Sequence, residues 1–186
     1  MLNTGGFPIK DRFGSKKGLA RHIGHSILYH LGYYNSYKRI NYSSIERIIF
    51  VCSGNICRSP LAEKVSESLG FRSDSYGLHC RGGDKADPRA IEFAKSIGLD
   101  LEGHNTKNIS NYIAEPGDLL VGMEPQQARA LSKMFLKSSI ITLSGIWITP
   151  YKPYIHDPYN TNDVFFEKCE RYVASATKEL VLRVSQ

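Results

Sequence analysis

Apolar residues recur along this chain at two different intervals, and the switches between them mark out a series of elements. Leu19, Ile23, Ile27, Leu31 and Tyr34 fall at helical spacing, with Arg21, His22, His25 and His30 elsewhere around the turn, which predicts an amphipathic helix over residues 18–34. Residues 1–17, rich in Gly, Ser and Lys and without an apolar period, predict a mobile or loosely docked segment, and residues 35–44 a linker. The run Arg47-Ile48-Ile49-Phe50-Val51 is apolar, rich in β-branched residues and cut off by Cys-Ser-Gly-Asn, as expected of a buried strand entering a tight loop. A helix follows from Ser59, with Pro60 in its first turn, Leu61, Ala62, Val65 and Leu69 on one face, and Gly70 as its stop.

The alternation then repeats. Residues 72–76 predict a second strand, and Asp87-Pro88 an N-cap and first helical residue for a helix running to Gly98. Residues 118–121 and 139–143 predict two further strands, separated by a helix over 125–135. Gly145, Pro150, Pro153 and Pro158 mark 144–161 as a long loop, and 163–184 closes the chain as a helix. Strands alternating with helices imply an α/β fold, a doubly wound four-stranded parallel sheet with helices on both faces. The expected organisation is an N-terminal extension over 1–45 and a folded domain over 46–186. Ligands of such sheets bind at the carboxyl ends of the strands, which points to the loop after Val51.

Charge separates the extension from the body. The net charge of +6 resides in residues 1–47, which hold eight basic and two acidic side chains, while the remainder is neutral. A nucleic-acid or anionic-surface reading applies only to the N-terminal arm, and no nucleic-acid partner is expected for the body. The basic helix is expected to pack on the body or to dock a partner, and its neighbouring tyrosines (Tyr29, Tyr33, Tyr34, Tyr37 and Tyr42) to serve in aromatic packing. Cysteines at 52, 57, 80 and 169 show no metal-ligand spacing and no disulfide framework, so reduced thiols and no metal are expected. With neither a signal-peptide pattern nor a long apolar span, the expected location is cytoplasmic.

The chemistry concentrates in Val51-Cys52-Ser53-Gly54-Asn55-Ile56-Cys57-Arg58-Ser59-Pro60. Five residues between Cys52 and Arg58 let the backbone wrap into a cup whose amides point inward, an anion nest, and the following helix adds its positive end. Arg58 brings a planar fork that can hold two oxygens of a tetrahedral oxyanion. That field favours the nucleophilic anion of a sulfur held in the cup. Gly54 permits close backbone approach, Asn55 tolerates a left-handed turn, and Ser59 can donate a hydrogen bond to the Cys52 sulfur. A bare Cys-x5-Arg spacing is a poor signal, but a buried strand before it and Ser-Pro opening a helix after it are independent requirements, and both are met.

This loop resembles that of the low-molecular-weight protein tyrosine phosphatase family, and the likeness extends over residues 46–182 through Asp87-Pro88-Arg89-Ala90, Gly103-His104, Asp118 with Met123, and His156-Asp157-Pro158-Tyr159. The resemblance implies a phosphotyrosine phosphatase without a cofactor, with Cys52 as nucleophile, Arg58 as phosphate clamp and Asp157 as general acid and base. It further implies that the backbone from Ser53 to Arg58 binds phosphate, that Asn55, Ser59 and His104 support the loop, and that Ile56 and Tyr159 wall the pocket. Cys57 is either a small buried residue or, as the resemblance suggests, a redox partner of Cys52. The implied partners are a phosphotyrosyl protein and inorganic phosphate or another oxyanion in the loop, and the implied setting is a bacterial tyrosine kinase of polysaccharide synthesis. Departures from the family are the absence of Trp in Ser75–Gly83, Asn160 after Tyr159, and the small Ser53. They leave two alternatives in view: a phosphate-binding module with little turnover, or a phosphatase for another phosphoester or for phosphoarginine. Relatives that hydrolyse phosphoarginine carry Thr where Ile56 stands, which favours phosphotyrosine.

Overall fold

The structure, a computed structural model, describes residues 8–135 and 140–186. Four parallel strands, β1 (Arg47–Cys52), β2 (Ser73–Gly77), β3 (Asp118–Gly122) and β4 (Ile140–Leu143), form one sheet in the order β2-β1-β3-β4. The start expected for the fourth strand at Ser139 lies outside the described residues. β1 is central, with Phe50 opposite Ser75 on one side and Val121 on the other. Because successive side chains of a strand face opposite ways, Ile48 and Phe50 enter one apolar core and Ile49 and Val51 the other. This is why β1 reads as an uninterrupted apolar run.

Helices α3 (Arg58–Ser68) and α6 (Asp163–Val184) cover the first core, with Leu61, Val65, Phe166 and Val173 buried in it. Leu131 of α5 (Pro125–Met134), with Ile109 and Tyr112, closes the second. Helix α4 (Pro88–Ser96) packs beside α6 and opens as its sequence predicts, with Asp87 Oδ1 accepting from Arg89 N at 2.9 Å. At the base of the sheet a buried ion pair fixes β1 to β3: Arg47 donates to both carboxylate oxygens of Asp118 at 2.7 Å.

The N-terminal arm departs from the pattern reading in three ways. Residues 9–17 are not loose: α1 (Ile9–Phe13) and a turn through Gly14 pack on the end of the 144–161 loop and on α6, with Asn162 Nδ2 donating to Asp11 Oδ1 at 2.7 Å. The first seven residues of the expected mobile segment lie outside the described residues. The helix expected over 18–34 is α2 (Lys16–His30), capped at Ser15 and closed by a turn through Gly32, whose φ is +77°. The linker contains two short 3-10 turns, Asn35–Lys38 and Tyr42–Ser44, held because Tyr34, Tyr37 and Tyr42 pack on the first core.

The third departure concerns which face of α2 is inside. Most of its apolar stripe points to solvent, with Ile23, Ile27 and Leu31 exposed by 50%, 56% and 76%, while Leu19 is half-buried and Tyr34, beyond the helix end, is buried in the core. The inward face carries Gly18, Arg21 and His25, which meet the tyrosine- and histidine-rich 144–161 loop through ring stacking and hydrogen bonds. A polar aromatic loop is matched by the Gly18, Arg21 and His25 positions, while Leu28 and Tyr29 pack on the first core, so Ile23 and Ile27 are left outside the face that hydrophobic periodicity alone would bury.

Candidate active site

β1 ends at Cys52 and α3 begins at Arg58, so the intervening loop lies at the carboxyl edge of the central strand. Asn55 takes a φ of +55°, the one non-glycine left-handed residue among those described, and its side chain is fully buried. Its Oδ1 accepts from Lys107 N at 2.8 Å, and its Nδ2 donates to Ser59 Oγ and to Ser75 Oγ, each at 2.9 Å. Both serines therefore accept from the amide and keep their own protons for other partners. Ser59 Oγ lies 3.1 Å from Cys52 Sγ, and Ser75 donates to the Glu63 carboxylate. Asn55 N also points at Cys52 Sγ, at 3.2 Å.

His104 supports the same residue by another route: its Nε2 is 2.7 Å from the Asn55 carbonyl oxygen. Burial lowers the pKa of this imidazole, and because a carbonyl only accepts, Nε2 carries the hydrogen. Burial likewise raises the Glu63 carboxyl, opposed by the Ser75 hydrogen bond. Gly77, at the end of β2, lets the loop come this close, since a Cβ there would stand 3.0 Å from Gly54 C and 3.1 Å from Asn55 Cβ.

Arg58 is 1% exposed. Its Nη1 donates to Glu124 Oε1 and to the Ile155 carbonyl, both at 2.9 Å, and its Nη2 pairs with Asp157 Oδ2 at 2.8 Å. Burial opposes the charge, but Asp157 and Glu124 beside it outweigh that cost and hold the guanidinium charged. Asp157 is partly exposed at the mouth of a cavity of about 210 Å³. Cys52, Ser53, Gly54, Ile56, Cys57 and Arg58 line it, with His79, Asp157 and Tyr159 around the rim. Cys57 is buried at the start of α3, and burial, with Glu170 and Asp87 nearby, pushes its thiol well up and keeps it neutral.

The structure thus brings Cys52, Ser53, Gly54, Ile56, Cys57, Arg58, Asp157 and Tyr159 around one cavity, with Asn55, Ser59 and His104 buried behind the loop and His156 outside the cavity lining. Sequence reasoning missed Glu124, Glu63, Ser75, Lys107 and His79 as members of the site. Glu124 had one accessible signal: it lies two residues beyond β3, at the carboxyl edge where such sites form. It also caps α5 in a reciprocal box with Gln127, whose Nε2 reaches Ser53 Oγ at 3.3 Å. The others depend on strand order, which local patterns do not specify.

A parallel α/β sheet whose central strand delivers a cysteine into a phosphate-type loop, closed by an arginine and flanked by an aspartate, defines the architecture of a phosphate-loop phosphatase. Residues 47–186 match the family described as low molecular weight phosphotyrosine protein phosphatase, and the chain belongs to that family. It is similar to the low molecular weight protein-tyrosine-phosphatase Etp of Escherichia coli K12, with 31% identity over 144 residues covering 75% of this chain and 95% of Etp. Among solved structures it resembles the tyrosine phosphatase amsI of Erwinia amylovora, with a TM-score of 0.66 and 26% identity over 76% of this chain and 95% of that one. It also resembles Wzb of Escherichia coli K30 in complex with sulphate, with a TM-score of 0.63 and 27% identity over 74% of this chain and 97% of that one. The chain is accordingly a phosphoric monoester hydrolase of the protein-tyrosine-phosphatase class. Among the described residues, no helix is long and apolar enough to cross a membrane.

Proposed function

We propose that the protein hydrolyses phosphotyrosyl residues of proteins through a phosphocysteine intermediate. Cys52 Sγ attacks phosphorus, the bond from phosphorus to the tyrosyl oxygen breaks, and Asp157 delivers its proton to that oxygen. Water then attacks the phosphocysteine, Asp157 takes a proton from it, the S–P bond breaks, and inorganic phosphate leaves. The amides from Ser53 to Arg58 and the Arg58 guanidinium hold the non-bridging oxygens in both steps. Asn55, Ser59 and His104 keep the loop in shape, and Ile56 and Tyr159 form walls for the aromatic ring of the substrate. A proton shared from Ser59 to Cys52 Sγ stabilises the attacking anion and, later, the departing one. Cys57 is the proposed partner of Cys52 under oxidation, and a tyrosine kinase of bacterial polysaccharide synthesis, carried by the family resemblance, is the proposed setting.

The observation that carries this reading is the placement of Cys52, Arg58 and Asp157 on one cavity, with Arg58 Nη2 2.8 Å from Asp157 Oδ2. A phosphoryl group seated in the loop would meet the guanidinium that now holds the aspartate, leaving that carboxyl beside the leaving group. The test is hydrolysis of para-nitrophenyl phosphate and a phosphotyrosyl peptide with EDTA present, by wild type, Cys52→Ser and Asp157→Ala. Turnover of both substrates by wild type, none by Cys52→Ser, and a loss of about 10²-fold or more in Asp157→Ala are expected. Binding of phosphate or vanadate without turnover, or turnover of phosphoarginine peptides alone, would overturn the phosphotyrosine assignment.

A further inference from the structure

The family match begins at residue 47, so the packing of the arm against the 144–161 loop is an addition to the domain that the relatives share. That packing converges on His156, the residue before Asp157. Its Nδ1 lies 2.6 Å from Tyr154 Oη, and its Nε2 lies 3.3 Å from Oγ of Ser15, the cap of α2. Burial lowers the pKa of His156 and favours the neutral ring, in which one nitrogen donates and the other accepts. Arg21 Nη1 donates to Tyr154 Oη at 3.3 Å, which turns the phenol proton toward Nδ1 and leaves Nε2 with the hydrogen that meets Ser15. Ser15 Oγ also accepts from Gly18 N at 2.9 Å. A directed chain of hydrogen bonds thus runs from Arg21 through Tyr154 and His156 back to the first turn of α2.

Two glycines let the arm close on the ring. A Cβ at Gly14, whose φ is +75°, would stand 2.7 Å from His156 Cδ2, and one at Gly18 would stand 3.0 Å from the same atom. On the other side of the loop, Cys169 Sγ lies 3.4 Å from the His156 carbonyl oxygen. The residue adjoining Asp157 is therefore gripped by the arm through its side chain and by α6 through its backbone, while the Asp157 carboxyl itself, in a proline-rich loop short of regular structure, pairs with Arg58 Nη2 and accepts from Tyr159 N at 3.2 Å.

We propose that the N-terminal arm is a positioning element for proton donation: α1 and α2 hold His156, and through it fix where the Asp157 carboxyl stands relative to the leaving group. This rests on the reading of Asp157 as the proton donor. His156, Ser15 and Arg21 are positioning residues and touch no reacting atom.

The test exploits the fact that a poor leaving group needs a proton and a good one does not. In the full chain, kcat/KM is measured for phenyl phosphate and for 2,4-dinitrophenyl phosphate with wild type, Asp157→Ala, the double variant Ser15→Ala with Arg21→Ala, and Tyr154→Phe, which keeps the ring packing. Asp157→Ala is expected to lose far more on phenyl phosphate than on the activated ester. The double variant and Tyr154→Phe are expected to repeat that selective loss at about tenfold or more on phenyl phosphate, within the ~10²-fold that a misplacement of about 1 Å can cost, with less than about twofold on the activated ester. An equal loss on both substrates would mean a merely structural role and would overturn the proposal, as would no loss in Tyr154→Phe. If Asp157→Ala itself showed no dependence on the leaving group, the reading of Asp157 would fail first and the proposal with it. Ile27→Ser, on the exposed face of α2, is expected to match wild type on both esters.

Discussion

Arg58 and Asp157 face each other as an ion pair, Nη2 to Oδ2 at 2.8 Å, while Glu124 holds the other end of the same guanidinium at 2.9 Å. The two carboxylates leave the fork with no freedom to rotate. It is preorganised with one edge toward the cavity, and Glu124 keeps it there when Asp157 turns to the substrate.

Replacing Arg58 with Lys keeps the charge but loses the planar fork, so the ammonium can satisfy Glu124 or an oxyanion but not both in the same geometry. Arg58→Lys is expected to lower kcat/KM by about 100-fold and weaken vanadate inhibition by at least about tenfold, given the strength of bidentate charged hydrogen bonds. Steady-state kinetics with vanadate titration check this, and wild-type inhibition by vanadate in the variant would contradict it.

Asn55 combines a left-handed backbone with three side-chain hydrogen bonds, and two substitutions separate these contributions. Asn55→Ala loses the bonds, at about 1 kcal/mol each, and keeps the cost of about 1–2 kcal/mol that a Cβ residue carries in that conformation. Asn55→Gly loses the same bonds without the strain. Chemical denaturation is expected to rank wild type above Asn55→Gly, and Asn55→Gly above Asn55→Ala by about 1 kcal/mol. Activity is expected to fall in both, because the Ser59 hydroxyl beside Cys52 would no longer be oriented.

Much of this architecture was legible before the structure because β1 and the Cys52–Arg58 loop announce themselves locally: a buried strand reads as a continuous apolar run, and Gly54, Asn55 and Ser59-Pro60 each answer a separate backbone demand. Glu63 was not legible, since it meets Ser75 and the loop only through β2 lying beside β1, and Glu124 offered no more than its place just beyond the carboxyl end of β3. Which face of α2 lies inside was not legible in its periodicity, for a physical reason. Periodicity finds the face that differs from the rest of a helix, but what that face packs against decides whether it is inside. Opposite Tyr154 and His156 the better match is Gly18, Arg21 and His25, so Ile23, Ile27 and Leu31 are left outside.

Asp118 accepts from Arg47, from Tyr112 Oη and from Glu115 N; burial opposes its charge, but these partners outweigh that and lower its pKa. A carboxyl depressed in the folded state stabilises the fold above its unfolded value, and that contribution fades as pH falls through the folded value. Asp118→Asn is therefore expected to cost about 3–5 kcal/mol near pH 7, the scale of breaking a buried pair. The difference from wild type should shrink in acid, below about pH 4 where the unfolded chain also takes up the proton. Thermal melts of both proteins at pH 7 and in acid test this, and a constant difference would contradict it.

Glu170 tests the opposite sign. It is fully buried on the inner face of α6, neither carboxyl oxygen has a hydrogen-bond partner, and burial pushes its pKa up to about 8 from an ordinary 4.5. The folded chain then keeps a proton that the unfolded chain has released, so stability falls as pH rises from about 4.5 and levels off above about 8. His22, His25, His104 and His156, lowered mainly by burial, run the other way, since each makes the fold more stable as pH rises through the unfolded histidine range. A melt of wild type alone mixes these signs, and the difference between wild type and Glu170→Gln removes the histidines. At pH 4 Glu170 is protonated in the folded chain and largely so in the unfolded one, and the two proteins should agree within about 1 kcal/mol, the ordinary scale of a near-isosteric change. At pH 9 wild type must bury a charge, and Glu170→Gln is expected to be the more stable by roughly 3–5 kcal/mol, at about 1.4 kcal/mol per unit of displaced pKa. Equal differences at the two pH values would show that Glu170 is ionised in the folded protein and has a partner.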